Sequence, residues 1–134
     1  DVFSVTSFSE LRREALAVER RALLDPAAPV APPWVRQCLG DRGGPFIAAS
    51  DYIKTVADQI RQWVPGRYVT LGTDGFGRSD SRAALRGFFE VDRHWIALAA
   101  LKALADEGRI DTATVSRAIG EFGLDPAKPD PLAS

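Results

Sequence analysis

Three glycines, two aspartates, an arginine and a serine crowd one nonapeptide, Gly72-Thr73-Asp74-Gly75-Phe76-Gly77-Arg78-Ser79-Asp80, which follows the short apolar run that ends at Leu71. A glycine-rich loop between a strand and a helix can cradle phosphate. Glycine lets backbone N–H groups approach the anion, and the next helix presents its positive end. The spacing here departs from that chemistry: Gly72 to Gly77 is neither GxGxxG nor a Walker loop, and Asp74 and Asp80 would repel the anion that the helix end attracts. The composition serves a geometric role instead. In that reading Gly75 and Gly77 take backbone angles closed to other residues, Phe76 plugs the core and Asp80 caps the following helix. Gly72, Asp74, Gly75, Phe76, Gly77, Arg78, Ser79 and Asp80 are thus expected to form a structural loop with no catalytic, cofactor-binding or metal-ligating residue.

The remaining candidates are sparse. His94 is the only histidine and lies beside Trp95, so any histidine-dependent mechanism must run through it. Ser79 and Asp80 precede it, but no GxSxG elbow surrounds the serine. One histidine and one cysteine, with no paired spacing, offer no tetrahedral metal set, and Cys38 reads as a small hydrophobe beside Leu39. Arg12, Arg13, Arg20 and Arg21 alternate with Glu10, Glu14 and Glu19, as on an ordinary solvated helix face. Trp34, Trp63 and Trp95 read as core or interface anchors.

The elements that must position these residues alternate in type. Val2 to Thr6 is β-branched and aromatic, as in a short strand. Ser7-Phe8-Ser9-Glu10 matches a capping box, and Phe8, Leu11, Ala15, Val18 and Ala22 recur at helical spacing behind it. Pro26, Pro29, Pro32 and Pro33 make an extended connector. Trp34 to Leu39 forms a turn or two of helix closed by Gly40. Phe46 to Ser50 is apolar enough for a strand buried on both faces. Ser50 or Asp51 caps a helix in which Ile53, Val56, Ala57, Ile60 and Val64 share a face, and Pro65-Gly66 ends it. Tyr68 to Leu71 is the next strand, and strand, helix, strand is a βαβ pattern. Helices over 81–90, 92–107 and onward from the cap Asp111 follow, and Pro126, Pro129 and Pro131 keep the tail non-helical.

At 134 residues the chain is one domain by length, and 46% hydrophobic with 26% charged residues excludes disorder. A formal net charge of -1 gives no footprint for nucleic acid. No apolar run reaches the roughly 18 residues of a membrane span, no signal-peptide layout opens the chain, and a single cysteine fits a cytoplasmic, reducing setting. No methionine occurs, and Asp1-Val2-Phe3 reads as a strand already in progress. The N-terminal edge of the domain is therefore expected to lie outside this sequence.

Ser50-Asp51-Tyr52-Ile53-Lys54, the nonapeptide, Phe88-Phe89-Glu90-Val91-Asp92 and the run Ala99 to Ala105 resemble the C-terminal domain of homodimeric pyruvate dehydrogenase E1 components, along nearly the whole chain. More distantly, Gly72 to Asp80 resembles the G-x-D-x-F-G-x-S-A segment of transketolases, which place Ala-Pro where Asp80 and Ser81 stand here. The resemblance implies an α/β fold: a three-layer α/β/α sandwich around a mostly parallel sheet, transketolase C-terminal-domain-like and lacking its first strand and helix. It also implies a parent enzyme that uses thiamine diphosphate and magnesium to decarboxylate pyruvate and pass the two-carbon unit to lipoyl groups of the E2 acyltransferase. The family's cofactor motifs lie in its preceding domains, so no cofactor is expected in this chain. The expected role of residues 1–134 is that of a single noncatalytic C-terminal domain, packing against its own catalytic domains and a second E1 subunit, with E2 open as a further partner and neither nucleic acid nor membrane among them. The alternative is a free-standing flavodoxin-like module that binds a small phosphorylated ligand at Gly72 to Asp80.

Overall fold

Two short parallel strands, β1 (Phe46–Ala49) and β2 (Tyr68–Leu71), lie at the centre of the computed structural model, which describes residues 1–40 and 42–134. Their register pairs Phe46 with Tyr68 and Ala49 with Leu71, and the ladder continues where Ser50 N–H donates to the Leu71 carbonyl at 3.1 Å. Parallel pairing demands a crossover. It is made by α3 (Lys54–Asp58) and a 3-10 turn at Arg61–Trp63. The fold is α/β as expected, although the sheet has two strands among the described residues rather than three. Val2 to Thr6, expected as a strand, pairs with neither β1 nor β2: β propensity alone supplies no partner for its backbone groups.

The helical expectation for residues after Ile53 also needs correction. The single helix divides in two, because Ile60 adopts φ −104, ψ 2, outside the helical region. The Tyr68 hydroxyl donates to the Ala57 carbonyl at 3.1 Å, and the Asp58 carboxylate accepts from Thr70 Oγ1 at 3.0 Å and from Arg61 at 2.5 Å. This cluster ties the crossover to β2 and buries Thr70.

The other helices are α1 (Phe8–Leu24), α2 (Trp34–Leu39), α4 (Arg82–Phe88), α5 (Arg93–Asp106) and α6 (Thr112–Glu121). Helix α5 packs against both strands and α6, while α3 packs against β2 and α1. Ala15, Val35, Ile60, Trp63 and Val64 form the core between α1, α2 and the crossover. Ser7 caps α1 by accepting from Glu10 N–H at 3.2 Å, yet the other half of the capping box is missing, since the Glu10 carboxylate turns to Arg13. Nor is the acidic set on α1 merely solvated. Glu14 accepts from Trp34 N–H at 3.0 Å and Glu19 from the Trp63 indole N–H at 2.7 Å, so two carboxylates join α1 to α2 and to the crossover. Asp92 and Asp111 cap α5 and α6.

The accessible surface is 8751 Å², against about 6,900 Å² for a compact monomer of this mass. Among the described residues, twelve hydrophobic side chains form the buried core, and Trp63 and Phe89 are the aromatic ones of that set.

Candidate functional site

The paired strands end at Ala49 and Leu71, and their register sets the two following segments side by side. In a parallel sheet this carboxyl end is where ligands are usually held. Here the two segments are latched to each other. Thr73 N–H donates to the Tyr52 carbonyl at 2.9 Å, Thr73 Oγ1 donates to the Asp51 carbonyl at 2.8 Å, and Asp74 Oδ2 accepts from Lys54 N–H at 2.9 Å. Asp74 therefore caps α3 from a loop twenty positions later in the chain. Neither Ser50 nor Asp51, the two residues expected as that cap, serves as one: the Ser50 hydroxyl accepts from Tyr52 N–H, and Asp51 offers its carbonyl to Thr73.

Two glycines owe their identity to close approach. A β-carbon on Gly72 would lie 2.6 Å from both Lys54 N and the Tyr52 carbonyl oxygen. On Gly75, at φ +107, it would lie 2.4 Å from the Pro131 carbonyl oxygen. The C-terminal tail thus crosses the nonapeptide, held there by Lys128, whose Nζ donates to the Phe88 carbonyl at 2.8 Å and to Glu90 at 2.9 Å.

Three expectations for the loop fail. Phe76 does not plug the core: it is 80% exposed, because Gly75 turns the chain outward over the tail. Gly77 has no left-handed backbone and nothing close to its missing side chain, so its position admits other residues. Asp80 stands one residue too early to cap α4. Ser81 is the cap, accepting from Ala84 N–H, and Asp80 accepts from Ser81 N–H at 2.6 Å. Arg78 lays its guanidinium 4.0 Å from the Phe88 ring centroid, beside a hollow of about 300 Å³ that Ser79 and Asp80 also line.

The loop's two carboxylates are both engaged with backbone, Asp74 with the Lys54 N–H and Asp80 with the Ser81 N–H, and they keep negative charge at the place an anion would approach. His94 stacks on Phe122 at 5.1 Å and accepts from Arg93, with no hydrogen bond to Ser79 or Asp80 among the described residues. Cys38 lies away from it, in an apolar hollow of about 520 Å³ between the N-terminal arm, α1 and α2. Among the described residues no three of His, Cys, Asp and Glu gather as metal donors. Burial pushes the Tyr68 hydroxyl up to about 12, with Asp58 adding to the rise and Arg61 opposing it.

Residues 51–54 and Pro131 were not anticipated as parts of this site. The signal for the first was available: two parallel strands place their following loops together. Nothing local marks Pro131.

The family of transketolase-like TK C-terminal domains matches residues 1–92. The chain is 59% identical to the pyruvate dehydrogenase E1 component of Pseudomonas aeruginosa over 133 residues, which is 98% of the chain and 15% of that protein. It is 53% identical to the protein of that name from Cupriavidus necator over 99% of the chain and 15% of the relative. With the Escherichia coli protein of that name the figure is 46%, over 98% and 15%. The chain therefore spans about 15% of the length of these curated relatives.

Proposed function

The chain belongs to the family of transketolase-like C-terminal domains, and from that premise we propose that it is the noncatalytic C-terminal domain of a pyruvate dehydrogenase E1 component. The observation that carries this is the extent of the similarity. The family match ends at Asp92, whereas likeness to the E1 components runs over 98% of the chain and so takes in α5, α6 and the tail, which a generic family member need not share.

The parent enzyme decarboxylates pyruvate with thiamine diphosphate and magnesium and hands the two-carbon unit to E2 lipoyl groups. This domain serves interdomain packing and the homodimer in the cytoplasm, and it is inactive alone. The residues present do not fit the cofactor. No donor cluster suits magnesium among the described residues, and the Asp74 and Asp80 carboxylates put negative charge on the loop that a diphosphate would have to approach. No step of the reaction is assigned to this chain. Among the described residues no helix is long and apolar enough to cross a membrane.

Calorimetric titration of the 134-residue chain with thiamine diphosphate and magnesium tests the reading. No heat is expected at micromolar ligand, while the full-length protein turns over pyruvate. Measurable heat would overturn the noncatalytic role. Binding of a flavin or nucleotide at Gly72 to Asp80 would favour the free-standing module instead.

A further inference from the structure

The latch at the carboxyl end of the sheet does more than fix a turn. It brings three separate stretches of backbone together: Tyr52 and Ile53 lie against Gly72, and Gly75 lies against Pro131 and Leu132. Each stretch presents a large apolar side chain to solvent. Tyr52 is 70% exposed, Ile53 50%, Phe76 80% and Leu132 64%. Isolated exposed apolar residues need no explanation, but several on adjoining stretches of backbone held in one arrangement mark a binding surface, and aromatic anchors dominate such surfaces. The support here is rigid because side chain–backbone and backbone hydrogen bonds, two glycine approaches and the Lys128 anchor hold it.

Four side chains at these exposures offer on the order of 500 Å², about the apolar share of the roughly 800 Å² that each partner contributes to a standard interface. The tether decides the occupant: a segment on the same chain meets the patch at an effective concentration in the millimolar range, well above that of a separate molecule. The relatives supply the tether: about 85% of their length lies outside the part this chain matches. We propose that Tyr52, Ile53, Phe76 and Leu132 form the surface by which this domain docks onto the preceding domains of its own parent chain. The inference rests on the reading that the chain is part of an E1 component, and it assigns the latch a purpose: to hold the docking surface in one shape.

The test uses the full-length protein with Phe76→p-benzoylphenylalanine, irradiated after isotopically labelled and unlabelled subunits have been mixed. The expected result is a crosslink from position 76 to residues preceding this domain, in peptide pairs carrying one label only. Crosslinks that mix labels, crosslinks to E2, or none beyond the domain's own residues overturn the proposal. In parallel, a Tyr52→Ser, Phe76→Ser variant of the full-length protein should release the domain to limited proteolysis at least about tenfold faster. An unchanged release rate also overturns it. Failure of the full-length protein to turn over pyruvate would overturn the E1 reading, whereas normal turnover without the crosslink removes only the docking surface.

Discussion

Gly72 isolates a purely steric demand, since a methyl there meets the backbone of residues 52–54 and no flexible side chain can yield. Overpacking of this kind costs about 1–3 kcal/mol, so Gly72→Ala should lower the midpoint of urea unfolding without changing the slope. Gly75 adds a left-handed φ to its close approach, and Gly75→Val should leave the chain unfolded by circular dichroism. Asp74 separates structure from cofactor chemistry. Asp74→Ala loses the cap on α3 and should cost about 1 kcal/mol, while Asp74→Asn keeps an acceptor and should leave thiamine diphosphate affinity of the full-length protein unchanged. Tyr68 makes stability depend on alkaline pH. Its hydroxyl ionises near 10 in the unfolded chain and near 12 in the fold, so the unfolded state loses its proton first. Stability from this group is whole below pH 10 and falls as pH rises from 10 to 12. The side chain is only half-buried, which reduces the loss to about 1 kcal/mol. Unfolding curves at pH 9 and 11 should show it, and Tyr68→Phe should abolish that part of the dependence.

Helices α2, α5 and α6 and strand β2 were legible to within a residue because each carries its own punctuation: Gly40 after α2, Asp92 and Asp111 as caps, Pro65-Gly66 before β2. What failed was whatever depends on a partner distant in sequence. Apolar spacing runs smoothly from Ile53 to Val64, yet contacts from Tyr68 and Thr70 claim Ala57 and Asp58, and the helix breaks just beyond them. Phe76 has the residue type of a core plug, but the tail beneath Gly75 decides where it points. Of the site, the glycine and aspartate positions were readable, but not what each touches. The tail makes this dependence testable. Lys128 meets the Phe88 carbonyl, the Glu90 carboxylate and the faces of Phe88 and Trp95, and is the main anchor of a segment otherwise stiffened by prolines. Hydrogen bonds to a charged group contribute about 1.5–3 kcal/mol. Lys128→Met should therefore destabilise the chain by about 1–2 kcal/mol and speed amide exchange at Gly75 and Phe76 before exchange in α5 changes. Uniform acceleration across α5 and the loop would mean that the tail is no local strap.

At the scale of the molecule, the accessible surface of 8751 Å² exceeds that of a compact monomer by about 1,900 Å², more than the roughly 800 Å² that one partner contributes to a standard protein interface. A second set of exposed apolar side chains lies away from the latch, where Phe3, Val5 and Trp34 stand around the 520 Å³ hollow between the N-terminal arm, α1 and α2. The two-stranded sheet beside it is narrower than most sheets that support a domain. Apolar area left open on this scale drives association whenever no tethered neighbour covers it. The 134-residue chain alone should accordingly sediment as species heavier than 14.5 kDa at tens of micromolar, with a concentration-dependent distribution. Phe3→Ser with Trp34→Ser should move it towards the monomer, because both side chains line the hollow and neither belongs to the buried core. The Phe76→Ser change should not, since at tens of micromolar an untethered copy meets the patch at the latch far below the effective concentration that a tether gives. A chain that remains monomeric at every concentration would instead mean that the N-terminal arm closes over the hollow in solution, and the missing cover would be the chain's own.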